Sequence, residues 1–497
     1  MKNFRINFIL FCIFLFSAVI VSRLFYIQIA NYEYYKALAF GQQKIFNQTQ
    51  GERGEILFGD RKGNLRFIAK NIEQDNVLKR YYPQEFLASQ IIGFMGGEGA
   101  GQYGLEGYYD DVLKGEEKFF EQERNPWIGF FSANKNAPTK GVDFVLSLDY
   151  NIQSKAKRLL ENAREKFNIE AGEIIVMDPM SGKILAMANF PNFNPNNYSS
   201  EKDFEIFQNS ATQKIFEPGS VFKAITMAAA IDQNKITPQT EYVDKGFEKI
   251  DNYVISNYND KVYGKRNMIE VLEKSINTGA IFAERTMGDK IFLEYIERFG
   301  FFEPTGVDLQ NEVFSKNKEL KKGYKTSFAT ASFGHGIEVT PIQLAVAYSA
   351  IANGGKLVKP YIAEKKIFEN NRTIETETEI IKDNVISVKT ASQLTAMLTR
   401  VIENSYVDKA KIPGYYLAGK TGTSQMAFSA INIHKKGYSD KTWQTFIGFG
   451  PSFDPKFLIL VKLDNPNTKT AEYSAVPVFK DLAKYIIDYL EIPPDYE

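Results

Sequence analysis

The sequence predicts an α/β (α+β) catalytic domain with an antiparallel sheet and a helical lobe, preceded by a transmembrane helix and a smaller mixed pedestal domain. Three observations predict it: an uncharged apolar run near the start, a tract of short strand-like runs broken by Gly-Asp and Lys-Gly turns from about Gly51 to Gly141, and long helical stretches alternating with apolar strands after Asp149. With 497 residues, 44% of them apolar and 24% charged, the chain can bury a substantial core and divide into two or more domains.

The apolar run reads FILFCIFLFSAVIV from Phe8 to Val21 and resumes after Arg23 as LFYIQI, about the 20 residues a spanning helix needs. Lys2 and Arg5 precede it without an acid, which places a short tail, 1–5, in the cytoplasm, the span at 6–29 and the rest outside. A cleaved signal peptide is the rival reading, but Ala37-Leu38-Ala39 lies too far beyond the apolar core to be its cleavage site. A juxtamembrane helix rich in Tyr and Phe is expected at 30–50, the non-catalytic, dimerisation-like pedestal at 51–150 and the catalytic domain at 151–490.

Within the pedestal, Gly99-Ala100-Gly101-Gln102-Tyr103-Gly104 satisfies GxGxxG. No strand-turn-helix unit surrounds it and no acid follows at the right distance, so its glycines are expected to serve a loop rather than a dinucleotide. After it, a helix is expected near Ile152 to Phe167. Two apolar strands follow, Glu173–Asp178 and Lys183–Ala188, joined by a tight turn at Pro179-Met180-Ser181-Gly182. Helices at Pro341–Asn353 and Lys389–Asn404 and strands at Thr445–Gly450 and Phe457–Leu463 complete the pattern.

Composition removes several chemistries. Lys plus Arg and Asp plus Glu both total 60, so nothing in the summed charge favours nucleic acid. Cys12 is the only cysteine, which leaves no intrachain disulfide and no thiolate metal site. The two histidines, His335 and His434, lie in no HExxH and there is no GxSxG, so neither zinc hydrolysis nor a Ser-His-Asp elbow is expected. No metal or cofactor is expected.

Glu217-Pro218-Gly219-Ser220-Val221-Phe222-Lys223 opens an apolar helix, with Ser220 in its first turn and Lys223 one turn on, on the same face. A lysine whose pKa is lowered from about 10.4 by burial can take the serine proton. The helix N-terminus favours the developing alkoxide. SxxK also occurs at Ser132/Lys135, Ser154/Lys157, Ser199/Lys202 and Ser315/Lys318, each expected to be solvated Ser and Lys. Ser275-Ile276-Asn277 adds a hydroxyl to relay a proton and an amide to hold a carbonyl, a pattern shared by Ser132-Ala133-Asn134 and Ser315-Lys316-Asn317. Lys420-Thr421-Gly422-Thr423 is the chain's single KTG, led in by Leu417-Ala418-Gly419. Its cation and two hydroxyls suit a terminal carboxylate, and Gly422 permits close backbone approach. Glu217 is expected to be a solvated loop residue.

The order SxxK, then SxN some fifty residues on, then KTG well downstream resembles penicillin-binding proteins and serine β-lactamases. The resemblance to class B penicillin-binding proteins covers most of the chain: Glu52-Arg53-Gly54-Glu55-Ile56 with Asp60-Arg61-Lys62-Gly63, Gly104-Leu105-Glu106-Gly107, Val176-Met177-Asp178-Pro179 with Gly182-Lys183-Ile184-Leu185-Ala186-Met187, Phe333-Gly334-His335-Gly336 with Thr340-Pro341-Ile342-Gln343-Leu344, Ala352-Asn353-Gly354-Gly355 and Phe446-Ile447-Gly448-Phe449-Gly450-Pro451. Two residues depart from the family pattern: His335, where Gln is frequent, and Thr278, where Val is commoner.

The resemblance implies a peptidoglycan D,D-transpeptidase on the bacterial cytoplasmic membrane, single-pass, with its catalytic domain outside. Ser220 would be the nucleophile, Lys223 its base, and Ser275, Asn277 and Lys420 would assist proton transfer and placement. Thr421, Gly422 and Thr423 would bind the terminal carboxylate of a D-Ala-D-Ala stem. The N–H groups of Ser220 and Thr423 would form an oxyanion hole, worth about 3 kcal/mol per donor. Implied partners are peptidoglycan stem peptides and lipid-linked precursors, β-lactams, and a multipass membrane glycosyltransferase. Two alternatives remain: a membrane-anchored β-lactamase or D,D-carboxypeptidase using water as acceptor, and a penicillin sensor that acylates without turnover. The short cytoplasmic tail leaves no room for the signalling domain a sensor needs.

Overall fold

The computed structural model describes residues 2–25, 52–74, 77–115, 140–405 and 407–497, and leaves undescribed the side chains at 2–10, 12, 13, 22, 77 and 408. The helix expected at 30–50 and the Ser132/Lys135 motif lie outside the described residues. A helix runs Lys2–Phe25, through most of the apolar run, with Phe14 and Phe16 exposed on it. Over the described residues, no helix is long and apolar enough to cross a membrane.

A six-stranded sheet follows, in the order Thr373–Glu375, Ala363–Ile367, Asp143–Asp149, Ile56–Gly59, Arg66–Gln74, Val77–Tyr81. Every pairing is antiparallel except that of Ile56–Gly59 with Asp143–Asp149. Two strands come from the 363–375 excursion, so this sheet draws on both sides of residue 150. Two of the family-like motifs meet beneath it. Glu106 is fully buried and accepts from Arg53 Nε and Arg80 Nε, both at 2.7 Å, and from Tyr82 OH at 3.2 Å. Removing one member of such a buried ion pair costs about 3–5 kcal/mol, so these motifs read as structural. The GxGxxG glycines, expected in a loop, fall partly in a short strand, Gly101–Gln102, and at the start of helix Gly104–Tyr108, and they serve packing: a Cβ on Gly101 would lie 1.9 Å from the Glu106 carbonyl oxygen.

The catalytic-type domain is built on a five-stranded antiparallel sheet, in the order Ala418–Ala427, Tyr438–Gly450, Phe457–Asp464, Ala171–Met177, Ile184–Phe190. The hairpin read around Pro179–Gly182 is present, with Ile175 opposite Met187. Helices Tyr150–Phe167 and Ala475–Leu490 pack on each other and on the sheet, while Pro341–Ala352 and Val388–Asn404 do so apart from them. Layers on both faces leave Phe457–Leu463 wholly buried, which is why that strand reads as continuously apolar rather than alternating.

Caps set the helix limits. Asp149 accepts from Asn151 N and Ile152 N at 2.8 and 3.0 Å, so the first helix starts at Tyr150, two residues before the expected start. Thr340 and Gln343 form a capping box with Pro341 in the first turn. The expected strand Thr445–Gly450 begins earlier, at Tyr438, because its polar first half pairs with Ala418–Ala427 as far as Tyr438 opposite Ala427.

Candidate active site

Three segments from separate elements converge at the edge of the five-stranded sheet. The first is the turn Gly219–Phe222, a 3-10 helix that runs directly into the buried helix Lys223–Asp232. In 3-10 geometry residues three apart stack, so Ser220 and Lys223 share a face. Ser220 is half-buried while Lys223 has no exposed surface. The second segment is the turn between helices Met268–Glu273 and Asn277–Met287, which carries Ser275 and Asn277, both half-buried. The third is strand Ala418–Ala427, which carries Lys420, Thr421, Gly422 and Thr423 and forms the edge of its sheet.

Gly422 is where the strand meets the serine turn. A Cβ there would sit 2.6 Å from the Pro218 carbonyl oxygen, so only glycine lets the two backbones come this close. Ser424 Oγ donates to the Glu217 carbonyl at 2.6 Å and fastens the same contact. From the other side, Gly219 N donates to Gly334 O, and Phe216 and Val339 exchange two backbone hydrogen bonds.

The two lysines meet over Ser275. Lys223 Nζ donates to Ser275 O at 2.6 Å, Ser275 Oγ at 3.2 Å and Asn277 Oδ1 at 2.8 Å. Lys420 Nζ donates to Ser275 Oγ at 3.0 Å and to Thr421 O at 3.1 Å. Burial drives Lys223 well below its ordinary value of 10.5, and the neighbouring charge of Lys420 adds to the fall. Burial lowers Lys420 to about 7. Two buried cations sharing one hydroxyl disfavour double protonation, so the site holds a neutral amine near neutral pH. An amine one turn from the Ser220 hydroxyl, with Ser275 Oγ bridging it to a second titratable amine, is equipped to accept, relay and return a proton.

Thr421 and Thr423 are two apart and share a strand face, each half-buried; Thr423 Oγ1 accepts from Ala471 N at 3.2 Å and keeps its own proton to donate. Among the competing patterns, Ser154 Oγ donates to Tyr150 O and Lys157 pairs with Glu161 on an ordinary helix. Ser199 and Lys202 are exposed. Ser315 donates to Glu338, and Asn317 ties down its own loop. None of these reaches the lysine cluster.

One expectation fails. Glu217 is not solvated: it is only 8% exposed, and its two oxygens accept from Tyr438 OH at 3.0 and 3.1 Å. Burial raises it from 4.5 to about 7, against the opposing bonds from Gly336 N–H and Tyr438. Folding brings distant residues against it: Phe216 is tied to Val339 by two backbone hydrogen bonds, and Tyr438 and Gly336 reach the carboxyl itself. Unfolded, the carboxyl titrates near its ordinary value; folded, it holds its proton more tightly. Stability therefore falls as pH rises through that window, by about 3 kcal/mol in all. Glu217→Gln removes the titration, so calorimetric Tm should change much less between about pH 5 and about pH 8 than in the wild type. An unchanged pH dependence would contradict the raised carboxyl.

Two other residues here were not legible as site residues. Tyr438 lies in the polar half of its strand. His335 has its ring centroid 6.1 Å from that of Tyr438 and is held at about 4, first by burial and then by the charge of Lys223, so it is neutral at pH 7.

Residues 172–484 match the penicillin binding protein transpeptidase domain. Over 85% of its length the chain is 32% identical to the stage V sporulation protein D of Bacillus subtilis, of which it spans 66%. Over the same share it is 32% identical to a probable peptidoglycan D,D-transpeptidase, PbpC, of Pseudomonas aeruginosa, of which it spans 73%. The fold is similar to the crystal structure of penicillin binding protein 3 from Mycobacterium tuberculosis, with a TM-score of 0.79 and 26% identity over 90% of this chain and 98% of that one.

Proposed function

The chain belongs to the penicillin-binding protein transpeptidases, and on that premise we propose that it is a peptidoglycan D,D-transpeptidase that cross-links stem peptides through an acyl-enzyme on Ser220. The observation that carries the reading is the convergence of Lys223, Ser275, Asn277 and Lys420 within one hydrogen-bonded cluster, one turn from Ser220.

In this reading the neutral Lys223 takes the Ser220 proton as Oγ attacks the penultimate D-Ala carbonyl. The proton passes through Ser275 to the departing D-Ala amine, and an amine of a second stem then attacks the ester and restores Ser220. Atoms balance: one amide breaks, one forms, and D-Ala leaves. The strand Ala418–Ala427 is the edge of its sheet, the position at which an extended peptide can add. The N–H groups of Ser220 and Thr423 stabilise the tetrahedral oxyanion, and Asn277 helps place the substrate. Lys420, Thr421 and Thr423 hold the terminal carboxylate, with Gly422 allowing the approach. A β-lactam enters the same site as a mimic of the donor peptide; penicillin binding protein 3 of Mycobacterium tuberculosis has been solved with aztreonam and ampicillin.

The test is product analysis. A stem pentapeptide and a labelled acceptor amine, mixed with the protein, should yield the cross-linked amide with release of D-Ala. Release of D-Ala with no amide product would make the enzyme a carboxypeptidase.

The anchor belongs to the same proposal. Helix Lys2–Phe25 carries exposed Phe, Leu, Val and Ile side chains with Lys2 and Arg5 at its start, and we read it as the core of a single span at 6–29 that puts the pedestal and catalytic domain outside the cytoplasm. The partner expected in the membrane is a multipass glycosyltransferase acting on lipid-linked precursors. Carbonate extraction should leave the full-length protein in the membrane pellet. Recovery of a form starting near residue 40 would identify a cleaved signal peptide instead.

A further inference from the structure

Asn277 can hold Lys223 only if the turn that carries it is itself held; the preceding helix closes its near side, with Ser275 N donating to Leu272 O at 3.3 Å and Ile276 N to Val271 O at 2.9 Å, while its far side has no cap of its own. Ser275 sits at φ +54, in the left-handed region that a serine rarely occupies. Helix Asn277–Met287 has Ile276 at its N-cap, whose side chain caps nothing. Its first N–H groups find their partner elsewhere: Asn257 Oδ1 accepts from Asn277 N at 3.0 Å and from Thr278 N at 3.1 Å.

Asn257 lies just after strand Tyr253–Ser256, in an excursion of two two-stranded ribbons inserted between helix Lys223–Asp232 and helix Met268–Glu273. The preceding residue aims the catalytic amide: Asn277 Nδ2 donates to Ser256 O at 3.0 Å, which turns Oδ1 toward Lys223. Asn257 is clamped in turn by Asp244, whose two oxygens both accept from its Nδ2 at 3.0 Å. Asp244 also accepts from Gly246 N at 2.9 Å, Tyr263 N at 2.6 Å and Thr278 Oγ1 at 2.7 Å. Thr278, where the family more often has an apolar side chain, is thereby wired to the same carboxylate, and Tyr242 OH lies 3.3 Å from its hydroxyl. Asp244, Asn257 and Thr278 are all buried.

We propose that Asn257 and Asp244 are positioning residues for acylation: with Thr278 they fix the Ser275–Asn277 turn from outside and so aim Asn277 Oδ1 and the Ser275 carbonyl at Lys223. The inference rests on the transpeptidase reading, in which Lys223 is the base. Neither residue touches substrate. Their effect passes through the acceptors that orient the amine.

The experiment follows acylation of the full-length, detergent-solubilised protein by a fluorescent penicillin across pH. Asn257→Ala should slow acylation about tenfold, the cost of one displaced hydrogen bond to a charged group. It should also move the acidic limb of the pH profile to lower pH, because losing the Asn277 acceptor further disfavours protonated Lys223, which already lies beside Lys420 and His335. An unchanged rate overturns the proposal. So does a slower rate with an unmoved limb, which is what simple loosening of the fold produces. Should Asn257→Ala not fold, Thr278→Val and Thr278→Ser decide: the valine, which lacks the donor to Asp244, should be slower, while the serine, which keeps it, should stay within about twofold of wild type. Equal rates in both would overturn the proposal. Absence of any Ser220 adduct in the wild type would instead remove the transpeptidase reading and this inference with it.

Discussion

Ser220→Ala is expected to abolish covalent labelling by penicillin, a loss of at least about 10⁴-fold in acylation rate, since removal of a nucleophile leaves only what binding and the oxyanion donors supply. Ser132→Ala, Ser154→Ala, Ser199→Ala and Ser315→Ala should retain the label. The contrast rests on placement: of the described SxxK serines, Ser220 alone sits one turn before a lysine with no exposed surface. Ser154, Ser199 and Ser315 stand on a helix or loop beside exposed or carboxylate-paired lysines. The variant should fold, because Ser220 is half-buried and alanine keeps the turn. Gel fluorescence after penicillin labelling reads the result. A signal surviving in Ser220→Ala would move the nucleophile elsewhere.

Lys223→Met should lower the acylation rate by about 10³-fold, within the range that positioned general bases supply. Methionine has a similar length and no charge, so it fits a site that already disfavours the ammonium; it leaves the Ser275 carbonyl and Asn277 Oδ1 without their donor. The pH profile makes the assignment sharper. Lys223 acts as base only when neutral, so the wild-type rate should fall as pH drops through its lowered pKa. Lys420 attracts a carboxylate only when charged, so the rate should also fall as pH rises past about 7. Lys420→Met should remove the basic limb and weaken binding of the anionic β-lactam, while Lys223→Met should remove the acidic one. Stopped-flow acylation across pH checks both, and an acidic limb persisting in Lys223→Met would assign the base to another group.

What the sequence made legible was local or periodic. Ser220 and Lys223 lie three apart in one turn, Lys420 to Thr423 fall in one strand, and the apolar core strands have the continuous pattern that burial on both faces imposes. The lysine cluster was inferable because each member sits in a short motif. What escaped depends on contacts between residues far apart in the chain. The 363–375 strands complete a sheet begun three hundred residues earlier, through a pairing that no local pattern announces. Glu217 reads as a loop acid until Tyr438, 221 positions away, is seen to bury it. Asp244 and Asn257 carry no motif; their role emerges only when the ribbons fold back on helix Asn277–Met287. The departure at Thr278 was visible in the sequence, but its partner Asp244, 34 positions away, was not.

On the proposed mechanism Ser220 forms an acyl-enzyme that is resolved by an amine rather than by water. Hydrolysis needs a carboxylate or an equivalent base aimed at a water next to the ester. Glu217 is the nearby acid with a pKa close to neutral, yet both of its oxygens are engaged by Tyr438, and Gly336 holds it as well. Intact-mass spectrometry of the full-length protein, followed over hours after excess penicillin is removed, tests this most directly. A penicilloyl adduct on Ser220 that persists through the series is the predicted result. An adduct that vanishes within seconds while penicilloic acid accumulates catalytically would make the enzyme a hydrolase and contradict the account.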